Sequence, residues 1–207
     1  MLEKDLTARI RQGLQYFDLK ASDEQIDLWN RYINLLNKWN KAYNLTAVRN
    51  IDEMLNRHLI DSLSIANLVK GEKLIDVGTG PGLPGIPLAI FYPEKSFHLL
   101  DSNGKKTRFL QQAKLELMLD NVTVINDRVE NVQLKPKFDG VLSRAFTTLE
   151  DMLAKTAHLC DSSGHFYAMK GIWPETELQA VSKPYKVHAL DWPGNDTERH
   201  LVIIEQI

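Results

Sequence analysis

The sequence contains a single cysteine, Cys160, and no run of apolar residues long enough to cross a membrane. One thiol cannot form a disulfide within the chain, and without paired cysteines the usual ligand spacing of a structural zinc site is missing. The most apolar stretch, residues 83–92, is short and interrupted by prolines, and the first residues lack the basic-then-apolar order of a signal peptide. We therefore expect a cytoplasmic protein that has neither a metal site nor a membrane segment.

The sequence also lacks an excess of positive charge. Its 25 lysines and arginines stand against 27 aspartates and glutamates, which gives a formal net charge of −2. The overall charge is not typical of a nucleic-acid-binding protein, so any basic surface must be local. An acid-free run between residues 102 and 115 could supply such a surface, although a solvated helix face explains the same pattern. Its basic residues are Lys105, Lys106, Arg108 and Lys114.

The first seventy residues follow a helical pattern. Ser22 and Gln25 are spaced as in a capping box, and apolar residues then recur every three or four positions. The pattern is lost at residues 40–46, where we predict a connection, and it returns in a third helix that ends near residues 70–71. Four polar residues of this third helix could share one face, and a buried or capped polar cluster is their simplest interpretation. These residues are Arg57, His58, Asp61 and Ser62.

From residue 73 onward, short apolar runs alternate with helical stretches, which indicates an α/β fold with a parallel sheet covered by helices. The predicted strands are residues 73–77, 96–100, 122–125, 140–143 and 165–169, and the predicted helices are residues 85–91, 105–119 and 148–159. Two final strands, at 185–190 and 199–206, are separated only by a turn-rich segment and should be antiparallel. We expect a helical extension, residues 1–70, packed on a main domain, residues 71–207.

The most informative segment is Leu74–Gly85, which is predicted to be a buried strand, a glycine-rich turn and the start of a helix. Gly80, Gly82 and Gly85 match the spacing of a dinucleotide-binding fingerprint, so a nicotinamide cofactor must be considered. Prolines crowd this turn, however, and proline removes N–H donors that a pyrophosphate would need. S-adenosylmethionine has no phosphate and suits the turn better.

Acidic residues at two strand ends favour the same cofactor. Asp76 could bind the ammonium of the methionine moiety directly or through water, although a carboxylate that only stabilises the turn is the alternative. Asp101 ends the next strand and could accept both ribose hydroxyls, unless it caps the following helix. After the third strand, Val129 and Glu130 should lie beside the adenine. Arg144 follows the fourth strand as a fixed cation at the reacting centre, or else forms a structural salt bridge.

Several motifs together resemble those of the bacterial glucose-inhibited division protein B family. They are residues 76–87, 39–46, 57–62, 143–145, 169–171 and 198–202, which together span nearly the whole chain. The resemblance implies a class I S-adenosylmethionine-dependent methyltransferase, with a seven-stranded, mostly parallel sheet whose last strand is antiparallel. It also implies methylation of N7 of one guanine in 16S ribosomal RNA, with the small ribosomal subunit as partner. Family cofactor positions fall on Gly78, Leu83, Val129, Glu130 and Arg144.

The expected cofactor-binding residues are Asp76, Gly78, Gly80, Gly82, Leu83, Asp101, Val129, Glu130 and Arg144. The residue types fit methylation of a ring nitrogen. A cytosine carbon would require a cysteine nucleophile, whereas guanine N7 has a lone pair and needs only positioning and removal of water. Arg144 could orient the cofactor or the guanine, and Phe146 could cover a base face.

Several basic residues could contact RNA phosphates. They are Arg11, Lys38, Lys41, Arg128, Lys170 and Arg199. We expect a monomer. An NAD-dependent oxidoreductase, a non-catalytic factor that binds ribosomal RNA or assists its assembly, and a small-molecule methyltransferase remain as alternatives.

Overall fold

The computed structural model describes residues 2–145 and 147–206, and it contains a seven-stranded sheet in the order β3-β2-β1-β4-β5-β7-β6. The strands are β1 (Lys73–Val77), β2 (Ser96–Leu100), β3 (Val122–Ile125), β4 (Phe138–Arg144), β5 (Cys160–Lys170), β6 (Tyr185–Ala189) and β7 (His200–Glu205). Strands β1 to β5 pair in parallel, and β7 is antiparallel to both of its neighbours. The predicted fold class and the antiparallel final pair are therefore confirmed.

Helices precede the sheet and connect its strands. The α-helices are α1 (Leu2–Tyr16), α2 (Asp23–Tyr43), α3 (Ile51–Met54), α4 (Asp61–Leu63), α5 (Gly85–Phe91), α6 (Gly104–Glu116), α7 (Leu149–Thr156) and α8 (Glu175–Gln179). The predicted start of α2 is confirmed, because Ser22 and Gln25 form both hydrogen bonds of the capping box. The short helix α8 was not predicted.

Two predictions for the helical part were wrong. Helix α2 does not end at residue 40 but continues to Tyr43, because the left-handed turn that terminates it lies at Asn44, with φ of 54°. The predicted third helix is present as one continuous run of α3, a π-helical segment (Leu55–Ile60) and α4, but it ends at Leu63 and not near residue 70, and a separate 3-10 turn (Ala66–Leu68) follows. Ser62 Oγ donates to the His58 carbonyl oxygen within this segment, an alternative bond that competes with regular helical bonding.

The sheet elements deviate from prediction only at their ends. Strands β4 and β5 are both longer than predicted. Strand β5 begins at Cys160, directly after residue 159, where the preceding helix was predicted to end. Helix α7 is correspondingly shorter and starts after Thr148, whose hydroxyl oxygen accepts the Asp151 N–H. Helix α6 ends at Glu116 and is followed by Met118 in the left-handed region.

The hydrophobic core consists of two clusters on opposite faces of the sheet. Leu74 of β1 belongs to one cluster and its neighbour Ile75 to the other, as strand alternation requires. The first cluster includes the buried residues of α1, α2, α5 and α6, and the second includes those of α7 and α8. The N-terminal helices therefore cover the same face of the sheet as α5 and α6.

Candidate active site

A cavity of about 410 Å³ opens at the carboxyl ends of the parallel strands, between β1, β2 and the segments that follow β3 and β4. Ligands of open α/β sheets bind at this edge. The lining residues are Val77, Gly78, Leu100, Asp101, Ser102, Lys106, Asp127, Arg128, Val129, Glu130, Ala145 and Lys155. The wall thus combines apolar side chains with carboxylates and cations, a donor and acceptor set that suits a polar, nucleoside-like ligand.

The glycine-rich turn after β1 has a backbone that other residues rarely adopt. Gly78, Gly80 and Gly82 have φ values of 66°, 62° and 97°. A Cβ on Gly82 would also lie 2.5 Å from Cδ1 of Ile86, so α5 packs directly against this glycine. The turn therefore requires glycine for its conformation and for its close approach to α5.

Asp76 belongs to the end of β1, and its side chain bonds to residues of this turn and does not line the cavity. Its Oδ2 accepts the Thr79 hydroxyl at 2.6 Å and the Gly85 N–H at 2.8 Å, and the residue is fully buried. Its Oδ1 is buried and has no hydrogen-bond partner among the described residues. Burial raises the pKa of Asp76 to about 7, against the opposing effect of the two donors. In this geometry the carboxyl group fastens the two ends of the turn to each other.

Asp101 lies at the carboxyl end of β2 and contributes to the cavity wall. Its Oδ2 accepts the Gly80 N–H at 2.9 Å and lies 3.6 Å from the Lys106 ammonium, while its Oδ1 accepts the Asn103 N–H at 2.8 Å. Asn103 is the residue that caps α6, because its side chain accepts the Lys105 N–H. The alternative that Asp101 caps this helix is therefore wrong.

The third side of the cavity is a 3-10 turn, Val129–Asn131, that follows β3. Val129 is buried, whereas Glu130 and Arg128 are exposed at the rim. This placement brings Gly78, Asp101, Val129 and Glu130 of the sequence-predicted set around one cavity. Four other predicted cofactor-binding residues are not among the described residues that line the cavity: Gly80, Gly82, Leu83 and Arg144. Gly80 nevertheless bonds to the lining residue Asp101 through its N–H.

Arg144 ends β4 and belongs to a buried polar cluster at the same edge of the sheet. Its Nη1 donates to Oδ2 of Asp61 at 2.9 Å, and its Nη2 lies 3.0 Å from Nδ1 of His58. The other oxygen of Asp61 accepts Nε of Arg199 at 3.1 Å. One carboxylate therefore holds two arginines, and the salt bridge considered for Arg144 exists.

Burial and charge shift the pKa values within this cluster. Burial and, to a smaller extent, the Arg144 guanidinium lower the pKa of His58 to about 4. His58 is thus a neutral ring at physiological pH, with its Nε2 2.9 Å from the Thr46 hydroxyl. Burial raises the pKa of Asp61, while Arg144 and Arg199 oppose that rise.

The remaining predicted residues lie in different environments. Lys41 is exposed on α2, whereas Lys170 donates to Glu177 at 2.7 Å and to the Thr147 carbonyl oxygen. Cys160 lies at the amino end of β5, away from the cavity edge, and burial raises the pKa of its thiol to about 12. Phe146 falls outside the described residues.

Sequence reasoning missed several functional candidates. It singled out His58 and Asp61 but gave no signal that they would meet Arg144, because 83 residues separate Asp61 from that arginine. It also missed Lys106 and Lys155 on the cavity wall. Within residues 2–145 and 147–206, no group of three or more His, Cys, Asp or Glu side chains could hold a metal ion, and no helix is long and apolar enough to span a membrane.

Sequence comparison identifies close relatives over nearly the whole chain. The family model of GidB, described as rRNA small subunit methyltransferase G, matches residues 25–202. The ribosomal RNA small subunit methyltransferase G of Escherichia fergusonii is 52% identical over 190 residues, which cover 90% of this chain and 92% of that protein. The protein of the same name from Marinomonas sp. is 49% identical over 198 residues, with 94% of this chain and 95% of that protein covered.

Solved structures that resemble this fold include methyltransferases. An S-adenosylmethionine-dependent O-methyltransferase from Thermotoga maritima superposes with a TM-score of 0.58 at 14% identity, over 74% of this chain and 70% of that chain. The TYW2 protein of M. jannaschii in complex with AdoMet gives a TM-score of 0.55 at 18% identity, over 70% of this chain and 74% of that chain. At this level of identity, the likeness concerns the fold.

Proposed function

The chain belongs to the rRNA small subunit methyltransferase G family, and we propose that it methylates N7 of a guanine in 16S ribosomal RNA. It is a methyltransferase with S-adenosylmethionine as its cofactor. The observation that carries the proposal is the cavity at the carboxyl edge of the sheet, which Gly78, Asp101, Val129 and Glu130 line together. These residues come from the ends of three neighbouring strands, as a cofactor site in this fold requires.

The residues of the cavity fit S-adenosylmethionine. Asp101 offers carboxylate oxygens for ribose hydroxyls, and each oxygen retains acceptor capacity beside its main-chain donor. Val129 supplies apolar surface for the adenine, and Glu130 an acceptor for its amine. The backbone at Gly80 has open space where a Cβ would stand, which leaves room for the methionine moiety. When bound, S-adenosylmethionine supplies a methyl group made electrophilic by the positive sulfur.

We assign Asp76 and Leu83 supporting roles in this cofactor site. Asp76 holds the turn closed through Thr79 and Gly85, and it thereby fixes the main chain of Gly80 and Gly82. Leu83 is buried within the same turn. Asp76, Leu83, Gly80 and Gly82 would therefore shape the site by fixing the backbone of the turn. Residues 71–207 hold the cofactor, and residues 1–70 form an extension whose Tyr32 donates to the Pro81 carbonyl oxygen at 2.9 Å.

Guanine N7 is the acceptor that best fits the available side chains. The thiol of Cys160 is buried at the opposite edge of the sheet, so it cannot serve as the nucleophile that methylation of a cytosine carbon requires. A ring nitrogen with a lone pair needs no general base. The protein then has to position the base and exclude water, and these tasks need fixed cations and apolar surface.

Arg144 is our candidate for orienting the reacting groups. It lies at the carboxyl end of β4, and Asp61 and His58 fix its guanidinium. Of the cations predicted to contact RNA, Arg128 is exposed at the rim of the cavity, and Lys38 and Lys41 are exposed on α2. We retain these three as phosphate contacts. Lys170 and Arg199 instead make ion pairs within the protein, with Glu177 and Asp61.

The proposal is tested by incubating 16S ribosomal RNA, naked and in the small subunit, with the enzyme and labelled S-adenosylmethionine. Mass spectrometry of nuclease fragments should find one N7-methylated guanine. If neither RNA preparation became methylated, a non-catalytic binding factor would be favoured. Thermal stabilisation by NADH and not by S-adenosylmethionine would favour an oxidoreductase.

The role of Arg144 is tested with a matched pair of variants. Arg144→Ala and Arg199→Ala each remove one ion pair from Asp61, so their structural cost is comparable. We expect Arg144→Ala alone to lower methyl transfer by about 100-fold, the size of effect that misplacement of reacting groups produces. If both variants lower S-adenosylmethionine binding and methyl transfer equally, Arg144 acts only through the stability of the cluster.

A further inference from the structure

Helix α2 runs toward the catalytic edge of the sheet. Gln25 Nε2 donates to the Phe91 carbonyl oxygen at the end of α5, Trp29 Nε1 to that of Pro87, and Tyr32 Oη to that of Pro81 in the glycine turn. These three bonds show that α2 is antiparallel to α5. The eleven residues after Tyr32 lie beside α6, where Trp39 contacts Phe109.

The C-terminal end of α2 carries an exposed aromatic side chain. Tyr43 is 46% exposed, and its ring lies on that of Trp39, with centroids 5.0 Å apart and an interplanar angle of 31°. Trp39 in turn contacts Phe109 of α6 edge-on, with centroids 5.8 Å apart. Trp39 and Phe109 thus form an aromatic column with Tyr43 at its exposed end.

Basic residues surround this aromatic column, although the protein as a whole is slightly acidic. Residues 28–51 and 102–115 each contain four basic residues and no acidic residue. The two segments pack together through Trp39 and Phe109. Within the described part of the chain, five exposed cations of these segments make no ion pair. These are Lys38, Lys41, Arg49, Lys105 and Arg108.

We propose that this basic aromatic surface, formed by residues 38–43 of α2 and 105–109 of α6, binds single-stranded RNA next to the cavity, with Tyr43 stacking on a base. The inference rests on the proposed ribosomal RNA substrate and names the surface that would hold it. Cations that lack acidic partners attract phosphates, and an aromatic ring with a fixed orientation binds any unstacked base. The surface lies beside the cavity because α6 begins at the segment that supplies Asp101 and Lys106 to its wall.

The test measures binding to unmodified, in vitro transcribed 16S ribosomal RNA by filter retention over a series of KCl concentrations. Tyr43→Ala should weaken binding by about tenfold, within the range for loss of one base–aromatic stack, and Tyr43→Phe should retain it. Lys41→Gln and Lys105→Gln should each lower the salt dependence of log affinity by about one. Stabilisation of the protein by S-adenosylmethionine should stay unchanged in all four variants.

Matched controls lie on the far edge strand of the sheet. Tyr185 is 43% exposed on β6, and Lys186 beside it is exposed, so Tyr185→Ala and Lys186→Gln remove similar groups from a distant surface. Wild-type affinity and salt dependence in Tyr43→Ala and the lysine variants would overturn the proposal, as would equal losses in the β6 controls. Displacement of bound protein by polyglutamate but not by RNA would instead assign the surface to an acidic protein.

The same experiment separates this inference from the proposed function. If the wild-type enzyme methylates 16S ribosomal RNA while the Tyr43 and lysine variants bind it normally, the surface assignment is wrong and the function stands. If the wild-type enzyme methylates no RNA but binds it through this surface, the proposed reaction is wrong and the surface stands.

Discussion

The two polar sites at the carboxyl edge of the sheet are built in opposite ways. The bonds of the glycine turn are local: Thr79 and Gly85 both donate to Asp76, and the three residues lie within ten positions of the chain. The arginine cluster joins residues from distant parts of the chain, because Asp61 meets Arg144 and Arg199. The glycine turn is thus built from local contacts and is neutral when Asp76 is protonated. The arginine cluster is built from long-range contacts and is charged.

This difference determines what each site contributes. The bonds of Asp76 hold the turn from within, while Asp101 and Tyr32 each add one bond to its main chain from outside. The cluster forms only when the helical part, β4 and β7 are all packed, so it links the folding of the first seventy residues to the sheet. Buried charges that depend on partners from other segments also carry the larger penalty when one partner is lost.

The largest predicted effect comes from removing the carboxylate of the cluster. Asp61→Ala leaves both Arg144 and Arg199 without the anion that faces them, and Asp61 is only 2% exposed. We expect unfolding free energy to fall by about 3 to 5 kcal/mol. Urea denaturation followed by circular dichroism measures this value.

A surface ion pair in the same protein provides the control for Asp61. Asp52 pairs with Arg9, and the Asp52 side chain is 54% exposed. Asp52→Ala should lower the unfolding free energy by less than about 1 kcal/mol. Equal effects of the two substitutions would show that the cluster is no more important for stability than a surface pair.

The second effect concerns the histidine of the cluster. The folded state holds the pKa of His58 at about 4, below its ordinary value of 6.5. The folded state therefore binds fewer protons than the unfolded state between these values. The stability that His58 contributes is present above pH 6.5 and is lost as the pH falls through 4, by about 3 kcal/mol in total. Denaturation at pH 4 to 7 should show this slope, and it should decrease in His58→Gln.

The contrast between the two sites also explains how much the sequence could predict. The glycine turn, Asp101 and the strands β1 to β3 follow local patterns, and their positions were predicted from spacing alone. The pairing of Asp61 with Arg144 and Arg199 was not, since no local pattern relates residues that meet only in the folded chain. The π-helical segment at Leu55–Ile60 escaped prediction because its apolar spacing looks like that of an ordinary α-helix.

A third prediction compares two glycines of the local site. A Cβ on Gly85 would overlap the Leu99 side chain and lie 2.9 Å from Oδ2 of Asp76, whereas a Cβ on Gly80 would meet nothing within 4 Å. Gly85→Ala should cost about 1 to 3 kcal/mol through overpacking. Gly80→Ala should cost about 1 kcal/mol, because only its positive φ of 62° is strained. Thermal denaturation that ranks Gly80→Ala as the more damaging change would contradict this account of the turn.

The smallest effect should depend on pH and comes from Thr79→Val, which removes one donor to Asp76 with little change of shape. Because the folded pKa of Asp76 is raised to about 7, this group stabilises the fold in its protonated form, fully below pH 3.8 and no longer above 7. Loss of the Thr79 hydroxyl should raise that pKa further. The variant should therefore be about 1 kcal/mol less stable at pH 5 and fall further behind the wild type at pH 8, where the carboxylate has lost a donor. If the stability difference between Thr79→Val and the wild type stayed constant from pH 5 to 8, Asp76 would not titrate in this range. The turn would then differ from the cluster only in that its contacts are local.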